Sequence, residues 1–226
     1  MHHFFNHQGH TMKLFIKIFL IALIVLSSYE TFAVLKARSE TKAIFSSALQ
    51  PKNIKIKLQD LSKDQINALL AVEDPKFYEH NGFDFTTPGA GVTTITQAMV
   101  KYLYFKNFTK GFKKIEQTLI AWLAVTPMIS KHDQLTVFIN TAYLGTVNGK
   151  EVRGFDKASQ IYYKKKFKEL NETEYLSIVA MLLAPKTFNI KNQPKHNRER
   201  VKLIKKLLSG EYIPTRNSDM FYGQKI

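Results

Sequence analysis

From Leu14 to Val34 the chain is apolar except for Lys17, Glu30 and a few small or hydroxyl-bearing residues. A helix rising about 1.5 Å per residue over this run crosses a hydrocarbon core of roughly 30 Å. One segment is therefore assigned to lipid before any core is built. Lys17 lies near its start, where the stem can rest in lipid while the ammonium reaches the interface. The alternative, a cleaved signal peptide, lacks a clean pair of small residues after Ser28, which favours an uncleaved anchor. Charge does not set the orientation, because Lys13 and Lys17 before the run face Lys36, Arg38 and Lys42 after it.

Beyond the anchor, a chain of 226 residues has room for one packed domain. Lys and Arg outnumber Asp and Glu 33 to 18, a net charge of +15. Such a balance draws a protein toward polyanions: nucleic acid, anionic headgroups or phosphorylated substrates. The basic residues are dispersed, no nucleic-acid reader motif is present and an anchor precedes the domain, so nucleic acid is not the expected partner. The chain has no cysteine, which removes disulfides, thiolate metal sites and cysteine nucleophiles together.

Pattern divides the chain into an N-terminal tail (1–13), the anchor (14–34), a polar connector (35–60), a folded domain (61–208) and a C-terminal tail after Ser209 expected to be loose. Ser62 and Gln65 have capping-box spacing, and Ile66, Leu69, Leu70 and Val72 form a stripe ending near Pro75. That places Glu73 and Asp74 at a helix C-terminus. Residues 81–91 carry glycines and Pro88 and read as a loop. Further helices are expected over 92–105, 112–125, 132–144, 158–163, 172–183 and 198–208, with a turn region at 145–154. Strand alternation is nowhere sustained, so the expected class is all-α.

Three polar constellations could carry chemistry. Glu73 and Asp74 open the run Glu-Asp-Pro-Lys-Phe-Tyr-Glu-His-Asn-Gly-Phe-Asp, which contains Phe77, His80, Gly82 and Asp84. Thr94, Gln97 and Lys101 share one helix face at i, i+3 and i+7. Lys113 and Glu116 stand three apart on another helix. Each alone has an ordinary reading: an acidic pair in water, a wet helix face, a surface ion pair.

In order and wording, however, they resemble the motifs of the peptidoglycan glycosyltransferases of glycosyltransferase family 51. Residues 73–84 match every fixed position of that family's first motif, Glu-Asp-x-x-Phe-x-x-His-x-Gly-x-Asp. Gly91 to Lys101 resembles the second, Gly-x-Ser-Thr-Ile-Thr-Gln-Gln-x-x-Lys, and Phe112, Lys113 and Glu116 the third. Lys131, Leu135, Phe138, Asn140, Gly145, Arg153-Gly154-Phe155 and 158–163 resemble the fourth, and Glu174 to Asn189 the fifth. Thr93, Ala98, Phe112 and Lys164 depart from the family's Ser, Gln, Arg and Gly. The stretch between His80 and Gly91 is also shorter than the family's, which usually covers the cleft there.

The resemblance implies an all-α, lysozyme-like glycosyltransferase domain preceded by one N-terminal transmembrane helix. It implies that the enzyme polymerises lipid II, the lipid-linked disaccharide precursor, with inversion and release of undecaprenyl diphosphate. Glu73 becomes the base and Glu116 the donor-side carboxylate, acting directly or by holding a metal. Asp74, His80, Thr94, Gln97, Lys101, Lys113, Asn140 and Arg153 become substrate-binding residues. No cofactor is obligatory on this reading, with a divalent ion such as Mg2+ on Glu116 as the open alternative. The partners implied are lipid II, the growing glycan chain, the membrane and other cell-wall synthesis proteins. The place implied is the bacterial cytoplasmic membrane, single-pass, with the catalytic domain outside. A lysozyme-like hydrolase also uses two carboxylates, but it has no diphosphate for Lys101 and Lys113 to hold. The other alternative is a relative that binds lipid II as a scaffold without turnover, motivated by Ala98, Phe112 and the short 80–91 segment. A transpeptidase reading rests on a lone Ser39-x-x-Lys42 without companion motifs.

Overall fold

A computed structural model describes residues 2–109 and 111–223, with side chains from Met12 onward. The long helix α1 (His2–Ala48) does not end where the apolar run ends. Glu30, Val34, Ala37, Thr41 and Phe45 recur every three or four residues and are buried, while Leu14 to Val25 stay exposed. The first half of the helix is thus free for lipid, and the second is packed into the domain. The connector expected from its polarity is corrected over 35–48: the polar residues are the outer face of an amphipathic helix. Thr41 lies within 2.8 Å of the Tyr104 hydroxyl, and the Arg38 guanidinium donates to the Leu123 carbonyl.

The domain is built from α2 (Lys63–Glu73), α3 (Ile95–Tyr104), α4 (Phe112–Ile120), α5 (Lys131–Thr141), α6 (Phe155–Tyr163), α7 (Glu172–Leu183) and α8 (Pro194–Leu208). Short 3-10 turns stand at Leu58–Asp60 and Phe167–Glu169. The fold is mostly helical, as expected. Helix α7 is buried over Tyr175–Met181 and packs against α2, α6 and α8, which is why its sequence shows no wide polar stripe. Helix α2 begins on the Ser62 and Gln65 capping box and ends at Glu73 with Asp74 as its cap. Helix α4 continues into one π-helical turn, Ala121–Val125, where the Thr126 N–H reaches the Ala121 carbonyl at 3.0 Å.

Two departures from the sequence reading have local causes. The region 145–154 belongs to an antiparallel hairpin, β1 (Tyr143–Val147) and β2 (Lys150–Arg153). Asn148 and Gly149, at φ 50° and 72°, form its two-residue turn, the chemistry that a tight hairpin demands. The second departure is the tail. Described residues after Ser209 fold back on the domain, with the Tyr222 side chain only 2% exposed. Gly89 N–H donates to the Arg216 carbonyl at 2.9 Å and Gly91 N–H to the Asn217 carbonyl at 3.0 Å. The expected loose segment is therefore a docked strap, held mainly through backbone groups that composition does not reveal.

Candidate active site

Asp74 organises the first cluster. Its Oδ2 accepts the Ile95 N–H at 2.9 Å, at the N-terminus of α3, and its Oδ1 meets His80 Nε2 at 2.8 Å. Gly82 N–H donates to His80 Nδ1 at 3.0 Å, which leaves Nε2 to carry the proton that Asp74 accepts. Lys131 on α5 donates to the His80 carbonyl at 2.9 Å and stands 4.4 Å from the centre of the Phe77 ring. Burial holds the Lys131 ammonium down to about 8 against the pull of Asp74. Gly82 at φ 99° is needed twice over, since a Cβ there would stand 2.7 Å from the Ala121 carbonyl oxygen of the π-helical turn. Asp84 closes the loop. Burial pushes its carboxyl up, but hydrogen bonds from Thr87 and Thr86 prevail and hold it at about 2.

Glu73 stands at the end of α2 beside this locked loop. It keeps part of its surface open, yet protein surrounds it closely enough that burial pushes its carboxyl up to about 7. The Arg200 guanidinium opposes that rise and the neighbouring Asp74 adds to it. A carboxylate titrating near neutrality is poised to accept a proton at working pH.

The second cluster lies on α4 and its neighbours. Lys113 Nζ is 3.4 Å from Glu116 Oε2 and 5.0 Å from the centre of the Phe105 ring. Lys114 donates to Thr93 Oγ1 at 3.0 Å, and burial followed by the charge of Lys101 lowers its ammonium. Exposed Lys101 stands 5.1 Å from the centre of the Phe108 ring. Glu30 of α1, 6% exposed, has both carboxylate oxygens buried without a hydrogen-bond partner among the described residues. Its charged neighbours are Glu116 and Lys113. Arg153 is held apart by Glu151 at 2.8 Å, with its guanidinium 4.0 Å from the centre of the Tyr102 ring.

Three of the residues assigned to substrate turn inward. Thr94 caps α3 by accepting the Gln97 N–H, and its hydroxyl donates to the Gly82 carbonyl at 2.8 Å. Gln97, 0% exposed, accepts the Thr94 N–H and donates to Thr118 Oγ1 at 2.8 Å. Asn140 accepts from the Lys55 and Ile56 N–H groups and donates to the Ile56 and Thr136 carbonyls. All three side chains bond to protein: Thr94 and Gln97 tie the first motif's loop to α3 and α4, and Asn140 fastens 55–56 to α5. Asp74 and His80 likewise hold each other.

Glu73 and Glu116 belong to different charge clusters, joined through α3, which receives Asp74 at its N-terminus and Thr118 of α4 at Gln97. Sequence reading missed Arg200, Lys114 and Glu30. Glu30 carried a signal, as a lone carboxylate inside an apolar run. Lys114 and Arg200 carried none beyond their charge, because only tertiary packing brings them to the site.

The helical domain on its long apolar helix thus presents a carboxylate raised toward neutrality at the end of α2 and a group of lysines on α3 and α4. The chain belongs to the transglycosylase family, whose model matches residues 40–209. It is 28% identical to penicillin-binding protein 1A of Vibrio cholerae over 184 residues, 75% of this chain and 22% of that protein. With penicillin-binding protein 1B of Escherichia coli it shares 30% over 161 residues, 66% of this chain and 19% of that protein. The counterpart in Buchnera aphidicola, also a penicillin-binding protein 1B, is 28% identical over 204 residues, 84% of this chain and 27% of that protein. The chain thus spans about a fifth to a quarter of the length of these curated relatives.

Proposed function

We propose that this chain is a membrane-anchored peptidoglycan glycosyltransferase that joins lipid II units into glycan strands. The observation that carries the reading is Glu73, a carboxylate raised to about 7 at the end of α2, beside a loop fixed by Asp74, His80 and Gly82. Glu73 takes the proton of the acceptor 4-hydroxyl as its oxygen attacks the anomeric carbon of the donor. The bond from that carbon to the diphosphate breaks with inversion, and undecaprenyl diphosphate leaves with the electron pair. Lys113, Lys101 and Lys114 offset the charge of the diphosphate.

Glu116 serves the donor side. Among the described residues no group of three His, Cys, Asp or Glu side chains could cage a metal. A divalent ion, where one takes part, would be held by Glu116 together with the substrate's phosphate groups. Such an ion would neutralise the leaving diphosphate. On this reading the apolar half of α1 is the anchor, and the domain stands on the outer side of the cytoplasmic membrane, where a lipid-linked sugar would be within reach.

The test separates binding from turnover in the full chain. Lys113→Ala is expected to weaken lipid II binding, because its cation meets the diphosphate in the ground state too. Glu116→Gln is expected to slow polymerisation and to change its response to Mg2+. A parent protein that binds lipid II without forming glycan would instead favour the scaffold reading, to which exposed Phe112, in place of the family's cation, gives support.

A further inference from the structure

Arg200, on α8, is 1% exposed, which makes it one of the largest fully buried side chains in the domain. Burying a guanidinium is costly unless its charge and donors are answered. Only part of that demand is met here. Nη1 donates to the Met220 carbonyl, and the Tyr222 ring lies 4.2 Å from Cζ. Nε has no hydrogen-bond partner among the described residues, nor has the Tyr222 hydroxyl. No carboxylate comes within ion-pair distance of Arg200 among the described residues. Helix α8 nevertheless packs across α2, whose last residue is Glu73, and after Tyr222 the charge of Glu73 favours the Arg200 cation.

The Met220 carbonyl and the Tyr222 ring both come from the strap. The strap is pinned by Asn217, whose amide donates to the Thr87 carbonyl at 3.1 Å and the Gly91 carbonyl at 2.6 Å. Met220 closes over Gly91, where a Cβ would collide with its sulfur. Asp219 steadies the turn by accepting the Tyr212 hydroxyl at 2.6 Å and the Gly223 N–H at 3.1 Å. The residues that hold Arg200 therefore also touch the loop between the first two motifs.

We infer that Arg200 is a positioning residue for the Glu73 base, acting through space as its buried counter-charge, and that the segment 211–223 is the strap that keeps it there. The inference rests on the assignment of Glu73 as base. Among the described residues, the groups whose charge bears on Glu73 are Asp74 at its own helix end, Arg200 from α8 and Tyr222 from the strap. Of these only Arg200 favours the ionised form of Glu73. Asp74 is in turn engaged by His80 and faced by Lys131. The strap covers the guanidinium and keeps it from water.

The experiment is the pH dependence of kcat/KM for glycan formation from lipid II by the full chain, for the parent, Arg200→Met, Arg200→Lys, Asn217→Ala and Glu73→Gln. Arg200→Met removes the cation and keeps an unbranched stem. Its acidic limb is expected to move to higher pH by about one unit, with rates near parental at alkaline pH. Arg200→Lys should keep the limb near its parental position. Asn217→Ala, which unpins the strap without touching the core, should move the limb in the same direction by less, and it decides the matter if Arg200→Met does not fold. A limb left at the parental pH in Arg200→Met and Asn217→Ala, with rates lowered evenly, overturns the inference and leaves Arg200 a packing residue. Glu73→Gln separates the two claims: if it stays active the base assignment fails, whereas if it is inactive and the limb does not move, only the role of Arg200 fails.

Discussion

Glu73 is tuned at a cost to the fold. A carboxyl whose native value is about 7 against an ordinary 4.5 binds more protons folded than unfolded between those values. Its contribution is therefore fully present below about pH 4.5 and is lost as pH rises through 7. Glu73→Gln removes that loss, so the variant should be the more stable at pH 8, on the order of 2 kcal/mol, and little different at pH 4. Thermal unfolding at the two pH values checks this. At Gly82, positive φ and the 2.7 Å approach to the Ala121 carbonyl act together, and Gly82→Ala should cost about 1–3 kcal/mol in denaturant unfolding. Much of this was legible in the sequence. The spacing of Ser62 and Gln65 located the start of α2, and the stripe ending near Pro75 located its end. The spacing of Thr94 and Gln97 was equally visible, but spacing gives a shared face and not its direction. Thr94 and Gln97 turned inward as a capping box, while Lys101 further along the same face stays exposed.

At the scale of elements, α1 performs two tasks with one periodicity. Its outer residues suit lipid, and the stripe Glu30, Val34, Ala37, Thr41 and Phe45 suits α4 and the π-helical turn. Sequence reading separated anchor from connector because polar residues begin at Lys36, and it missed that every third or fourth position stays apolar or small. Phe45, 1% exposed, fills the domain end of the stripe. Phe45→Ala should cost about 3–5 kcal/mol of domain stability, read by denaturant unfolding in detergent. Asn140 offers a second check on how this region is held. It makes four hydrogen bonds to backbone groups of the connector and α5, and Asn140→Ala should cost about 2–4 kcal/mol, leaving lipid II binding unchanged once the protein is folded. The hairpin had its signal in Asn148-Gly149, but its strands are too short for alternation to show.

Taken whole, the molecule is a helical domain on a long, half-apolar helix, with Glu73 at the end of α2 and the lysines on α3 and α4. The order of motifs made the family recognisable from the sequence. The strap and Arg200 were not, because a docked C-terminal segment leaves no periodicity and a buried arginine reads like any other charge. The apolar half of α1 should make the full chain require detergent for extraction; recovery in the soluble fraction without it would count against the anchor. The central claim, that Glu73 is the base of a lipid II polymerase, is met most directly by glycan formation from labelled lipid II, comparing parent and Glu73→Gln at equal substrate occupancy. The account expects strands from the parent and a rate lower by ~10²–10⁴ in the variant, with lipid II binding retained. Polymerisation by Glu73→Gln at the parental rate would contradict it.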